Sequence, residues 1–126
     1  MKISKRAEYG LMAMVCLTKN KKTISIREIS NIEVIPYEFL AKIFAKLESA
    51  KLVKAKHGAN GGYVLTKASN KISVNDIISA LEGNKKTVDC VCCQRKTKCL
   101  AKDVWAKLEK SLNKTLEQVK LSDLIK

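Results

Sequence analysis

Four cysteines, Cys90, Cys92, Cys93 and Cys99, fall within ten residues, with Arg95, Lys96 and Lys98 among them. Neighbouring positive charge lowers a thiol's pKa, so this segment favours thiolates, the form that binds metals and reacts with oxidants. Cys90-x2-Cys93 has the spacing of a tetrahedral zinc site and also of a thiol oxidoreductase motif. An oxidoreductase sets that motif at a helix N-terminus in a strand-rich α/β domain, and no such strand pattern runs through this chain. The five cysteines are an odd number, which argues against a pure disulfide framework. The fifth, Cys16, lies on the apolar face of the first predicted helix and reads as a core residue.

A segment of this kind must be held by folded elements, and the composition allows about one domain of them. The chain has 126 residues, 46% hydrophobic and 29% charged, which suits a globular protein and is too apolar for a disordered one. It carries 25 Lys and Arg against 12 Asp and Glu, a net charge of +13. Up to Lys71 there are 14 basic and 5 acidic residues, and beyond it 11 and 7, so the excess is concentrated N-terminally. That asymmetry is the footprint of a surface that neutralises phosphates. Met1 to Arg6 leads into no signal-peptide apolar region, and the apolar run Leu11 to Leu17 is too short to span a bilayer, which predicts a cytoplasmic protein with no membrane partner.

Periodicity then places the elements. Ser4 caps a first helix with Ala7, Leu11, Met14, Val15 and Cys16 at helical spacing, ending near Asn20. Ser25 to Glu28 has capping-box spacing and opens a short second helix with Ile26, Ile29 and Ile32 along one face. Pro36 suits the first turn of a third helix, striped by Phe39, Leu40, Ile43, Phe44 and Leu47. Leu52 to Lys56 and Tyr63 to Leu65 are β-compatible runs flanking a glycine-rich turn, which predicts a hairpin. Ser73 caps a helix with Val74, Ile77, Ile78 and Leu81, stopped by Gly83. From Ala101 to about Val119 a long helix carries Val104, Leu108, Leu112 and Leu116, and Ser122 to Ile125 adds a final turn. The predicted fold class is mainly α with one small β-hairpin.

Two short helices joined by Asn31 to Ile35 have the spacing of a helix-turn-helix, and a hairpin directly behind makes it a winged one. The second helix would enter the major groove with Tyr37, Glu38, Ala41, Lys42, Lys46 and Ser49 outward, a set able to neutralise phosphates and to reach base edges. Lys54, Lys56 and His57 lead into the glycine-rich wing tip, where Asn60 sits. Ser25, Tyr37, Glu38, Lys42, Lys46, Lys56, His57 and Asn60 are the candidate contacts to a double-stranded DNA operator.

Lys2-Ile3-Ser4, Ala7-Glu8-Tyr9-Gly10, the Phe39-Leu40-x-Lys42-Ile43-Phe44-x-x-Leu47 stripe, Leu52-Val53, Gly58-x-x-Gly61-Gly62-Tyr63-x-Leu65 and the passage from Cys99-Leu100 to Trp105 together resemble the Rrf2 family of winged helix-turn-helix regulators. The likeness runs nearly end to end. It implies a DNA-binding domain over 1–83, a cysteine-rich sensor loop over 84–100, and a dimerisation helix with a C-terminal turn over 101–126. It implies a homodimer joined through Val104, Leu108, Leu112 and Leu116, and a regulator of transcription rather than an enzyme. It also implies a 2Fe-2S cluster on Cys90, Cys93 and Cys99. Lys102 stands where some members place a histidine ligand, so the fourth ligand is Glu8, donated across the dimer, or Cys92. His57 stands where members often carry a wing arginine. On the residues alone, a cluster-free thiol switch and a zinc switch of the same fold stay open.

Overall fold

The computed structural model describes residues 3–20, 23–59, 61–83 and 101–125. The elements run α1 (Lys5–Lys19), α2 (Ile26–Glu33), α3 (Tyr37–Ser49), β1 (Val53–Lys56), β2 (Gly62–Leu65), α4 (Val74–Glu82) and α5 (Lys102–Gln118), with single 3-10 turns at Ser69–Lys71 and Leu121–Ile125. The fold is therefore mainly α with one antiparallel hairpin, as the periodicity predicts.

Helix α1 is the centre of the packing. Ser4 caps it by accepting from the Ala7 amide, and Ala7, Gly10, Ala13, Met14, Cys16 and Leu17 are buried on more than one of its faces, against α2, α3, α4 and the C-terminal turn. Gly10 is where α4 approaches most closely. A Cβ there would overlap Leu81 Cδ1 and stand 3.6 Å from Ile43 Cγ2. The main cluster joins Met14, Ile29, Leu40, Ile43, Phe44, Leu47, Ile77 and Leu81, all without solvent exposure. At about 25 cal/mol per Å² of apolar area, burial of such residues is the main stabilising term.

The reciprocal cap expected of Ser25 with Glu28 is formed on α2, and Ser73 caps α4 as expected, with Asp76 answering it in a second reciprocal pair that the sequence reading did not name. Pro36 stands one residue earlier than expected, at the N-cap of α3, where its fixed φ still leads into the helix and its missing N–H costs nothing. The expectation that Ile32 shares a buried face with Ile26 and Ile29 is wrong: Ile29 is buried, but Ile32 is 56% exposed. Residues three apart precess by about 60° per step on a 3.6-residue helix, so the third of them has rotated out of the core.

Strands β1 and β2 pair in register Val53 with Leu65 to Lys56 with Gly62, and Ile24 adds a short third rung by exchanging backbone hydrogen bonds with Tyr63. At Gly62 a Cβ would stand 2.5 Å from the Ile24 carbonyl oxygen, so a glycine is needed for that approach. The chain after α5 returns to the body. The Val74 amide donates to the Val119 carbonyl at 2.9 Å, the Leu121 amide donates to the Ile72 carbonyl at 2.8 Å, and Leu121 is fully buried. The sequence reading found the final turn but not its place in the core.

Candidate nucleic-acid interface

The surface formed by α3 and the hairpin is built on two short connections. Between α2 and α3, Val34 adopts φ 55° and ψ 53°, a left-handed conformation rare for a β-branched residue. The turn is closed by the Ile35 amide donating to the Ser30 carbonyl at 3.1 Å and by the Ser30 hydroxyl donating to the Ile35 carbonyl at 2.5 Å. Behind it the apolar stripe of α3 is buried through Leu40, Ile43, Phe44 and Leu47, which turns Tyr37, Glu38, Lys42, Lys46 and Ser49 to the outside. Ala41 is half-buried between them.

The Arg27 guanidinium lies over the Tyr37 ring, 4.9 Å from its centroid, and so links the exposed sides of α2 and α3. Sequence reasoning passed over Arg27 as part of the capping box, because a cation–π contact between two helices leaves no trace in spacing. Ser25 sits at the start of α2, where its hydroxyl accepts from the Glu28 amide at 3.1 Å and the Glu28 carboxylate accepts from the Ser25 amide at 3.3 Å. The Ile24–Tyr63 rung places Ser25 beside the base of the wing.

The wing is docked by Tyr63, whose ring lies 4.8 Å from that of Phe44, tilted by 45°. Burial, then Glu48 and Tyr37, push the Tyr63 phenol above its ordinary range. Strand alternation buries Val53 and exposes Lys54 and Lys56, and His57 follows them, exposed. Asn60 lies outside the described residues. The expected DNA contacts that are described thus fall on α3, the α2 start and one wing edge, elements joined by the Arg27–Tyr37, Ile24–Tyr63 and Phe44–Tyr63 contacts. Together they present a cationic, hydrogen-bonding surface suited to a polyanion.

Cys90, Cys92, Cys93 and Cys99 also lie outside the described residues, as does all of 84–100. The described chain meets that segment at Gly83 and Ala101. Gly83 follows the last turn of α4, which is fastened to the start of α1: the Ser4 hydroxyl donates to the Glu82 carboxylate, and Arg6 Nη1 donates to the Leu81 carbonyl at 3.2 Å. Glu8 stands one turn along α1, its carboxylate exposed and 3.5 Å from Lys5 Nζ. Among the described residues no group of three His, Cys, Asp or Glu could hold a metal ion. Cys16 is buried as expected, and burial, then Glu33, raise its thiol pKa while Lys19 partly opposes them. Its thiol is thus held in the unreactive protonated form.

Helix α5 packs on α4 through part of its surface. Val104 is 58% exposed, Trp105 is exposed beside it, and Leu108, Leu112 and Leu116 are half-buried, so an apolar stripe runs along the helix only partly covered. No helix among the described residues is long and apolar enough to cross a membrane.

Comparison with known proteins agrees with this geometry. The model of the Rrf2 family, described as an iron-dependent transcriptional regulator, matches residues 3–126. Protein rrf2 of Nitratidesulfovibrio vulgaris is 29% identical over 132 residues, covering 100% of this chain and 88% of that protein. The structure of CymR, the global cysteine regulator of B. subtilis, superposes with a TM-score of 0.85 at 30% identity, covering 99% of this chain and 96% of that one. IscR of T. potens superposes with a TM-score of 0.84 at 31% identity, covering 99% and 86%. These relatives are regulators, not enzymes. With a matching family model over almost the whole chain and a helix-turn-helix and wing in the corresponding order, this chain belongs to the Rrf2 family of DNA-binding transcriptional regulators.

Proposed function

We propose that the chain acts as a homodimer on a partly palindromic operator, and that its cysteine segment senses redox or iron-sulfur status through a 2Fe-2S cluster. The observation that carries the DNA reading is the cationic outer side of α3 and wing, where Lys42, Lys46 and Lys56 are exposed on the same elements as Tyr37, Glu38 and His57, with Ser25 at the start of α2. The dimer reading rests on the partly covered apolar stripe of α5, where Val104, Leu108, Leu112 and Leu116 would meet a second copy. Two copies joined there present two recognition helices, which is the arrangement a two-fold operator requires.

The donor chemistry fits a cluster. Cys90, Cys93 and Cys99 supply three thiolates, and Glu8 of the partner subunit, or else Cys92, completes the set of four that two irons require. When bound, the cluster supplies one-electron redox chemistry and a sensitivity to oxidants. The chain's own residues do the rest. The hydrogen bonds from Ser4 to Glu82 and from Arg6 to Leu81 join the point where the segment leaves α4 to the start of α1 and, through it, to the recognition helix. A change of ligation is thereby coupled to the angle between the two heads, and regulation follows from the difference in DNA affinity of the two states. By this reading 1–83 is the DNA-binding head, 84–100 the sensor and 101–126 the arm.

The test is anaerobic purification with absorption spectroscopy and assays of iron, sulfide and zinc. A visible chromophore with equimolar iron and sulfide is expected, lost in Cys99→Ser and kept in Cys16→Ser. Protein that holds zinc and never acquires a visible band would overturn the cluster reading.

A further inference from the structure

A cleft of about 740 Å³ opens between the start of α1 and the flank of α3, lined by Lys5, Arg6, Glu38, Lys42 and Lys46 among others. Phe39 and Ile43 of α3 also line it, and the Phe39 ring is held to α1 by Tyr9, edge to face at 5.3 Å. Four cations and one carboxylate share this space. Of the four cations only Lys5 has a described carboxylate within ion-pair distance, that of Glu8. Arg6, Lys42 and Lys46 line the cleft with no carboxylate in ion-pair contact, so even with Glu38 the lining carries a net positive charge that an anion would offset.

We infer that Lys5 and Arg6 form, with Lys42 and Lys46, a seat for the DNA backbone beside the major groove; this rests on the DNA-binding reading and adds a second element to it. The geometry gives the occupant. A helix with its side chains is about 10–12 Å across and the major groove is about 12 Å wide, so α3 fills the groove and residues on its flank meet the phosphates of the groove wall. The cleft lies on that flank. One N–H of the Arg6 guanidinium is held by the Leu81 carbonyl, which fixes the side chain while leaving other donors of its five for an oxygen ligand. Arginine so placed is organised before DNA arrives, and less side-chain freedom is lost on binding. The wing, with Lys54 and Lys56 exposed, supplies cations on a separate element. The seat adds affinity and register, not base preference, since phosphates carry no sequence information.

The experiment is the salt dependence of binding to a specific and a random duplex, for the full-length protein and for Lys5→Gln, Arg6→Gln and Lys5→Gln/Arg6→Gln. Each lost phosphate contact is expected to reduce the slope of log K against log salt by about 0.9, and a homodimer carries each substitution twice, so a single variant loses about 1.8 and the double variant about 3.6, equally on both duplexes. Arg6→Lys keeps the charge and is expected to keep the slope, which a role confined to the Leu81 hydrogen bond does not predict. If the wild-type protein shows no salt-dependent binding, the DNA reading itself fails. If the wild-type slope is steep and Lys42→Gln reduces it while the Lys5 and Arg6 variants leave it unchanged, the seat is refuted and the DNA reading stands. Calorimetry with inorganic pyrophosphate separates the other source of the same chemistry. Stoichiometric binding without DNA, lost in Arg6→Gln, would assign the cleft to a free phosphorylated ligand and overturn the assignment to the backbone.

Discussion

Replacing Gly10 by alanine tests whether the α1–α4 contact is as close as the structure has it. Two effects oppose each other. Alanine in a helix interior is favoured over glycine by about 1 kcal/mol. Against this, the new methyl overlaps Leu81 Cδ1, with Leu81 Cγ at 3.4 Å and Ile43 Cγ2 at 3.6 Å closing the exits. Leu81 and Ile43 have no solvent exposure, so the leucine cannot swing outward, and α1 must move or Leu81 must leave its rotamer. Overpacking of this kind costs about 1–3 kcal/mol, and full burial of both neighbours puts the site toward the upper end. The net expectation is destabilisation by about 1–2 kcal/mol, a fall in Tm of about 4–8 °C for a chain of this size. Thermal unfolding by circular dichroism measures it. A double-mutant cycle with Leu81→Ala isolates the cause. Leu81→Ala alone should cost about 2–5 kcal/mol through the cavity it leaves, but in its background the Gly10→Ala methyl enters vacated space and should be neutral or stabilising. A rise in Tm for Gly10→Ala alone, or the same cost in both backgrounds, would refute the close approach.

Three further outcomes are expected. Val34→Asn should raise Tm, by about 1 kcal/mol in stability, since Val34 is 84% exposed and loses little packing while its left-handed backbone suits asparagine; a lower Tm on thermal denaturation would show that the turn is not strained. Leu112→Asp should shift the protein from dimer to monomer in sedimentation velocity, because the dimer would bury an unpaired carboxylate; a variant that stays dimeric places the interface elsewhere. Cys16 should resist iodoacetamide in the native protein near neutral pH, read by mass spectrometry. Its raised pKa also fixes a sign: the neutral thiol is bound in the fold, so its contribution to stability is complete below the ordinary thiol range and is lost as pH rises through the folded value. Denaturant midpoints that rise with pH across that range in wild type but not in Cys16→Ala would contradict this.

The elements that sequence made legible are those whose signals are local. The α3 stripe from Phe39 to Leu47 has a helical period, Ser25 and Ser73 have acids at the third position, and the glycine-rich turn separates two short apolar runs, so α2, α3, α4 and the hairpin lie within a residue or two of expectation. What was missed depends on contacts distant in sequence. Leu121 stands before the final turn with no periodic partner nearby, and only the return of the chain to Ile72 makes it core. Arg27 acquires its role from Tyr37, and Lys5 and Arg6 acquire theirs from Lys42 and Lys46 across the cleft. Ile32 failed because a spacing of three drifts around a short helix.

The return of the chain at Val119 and Leu121 gives α5 a particular mechanical standing. Its far end is bonded to Ile72 and Val74, immediately before α4, and part of its surface packs on α4 itself, so the helix is fastened along its flank and at its end. An arm attached at one point swings and dissipates whatever happens along it. A helix fastened in this way transmits torque to its mounting. A displacement of α5 is passed to α4, which lies against α1 where Gly10 leaves almost no clearance.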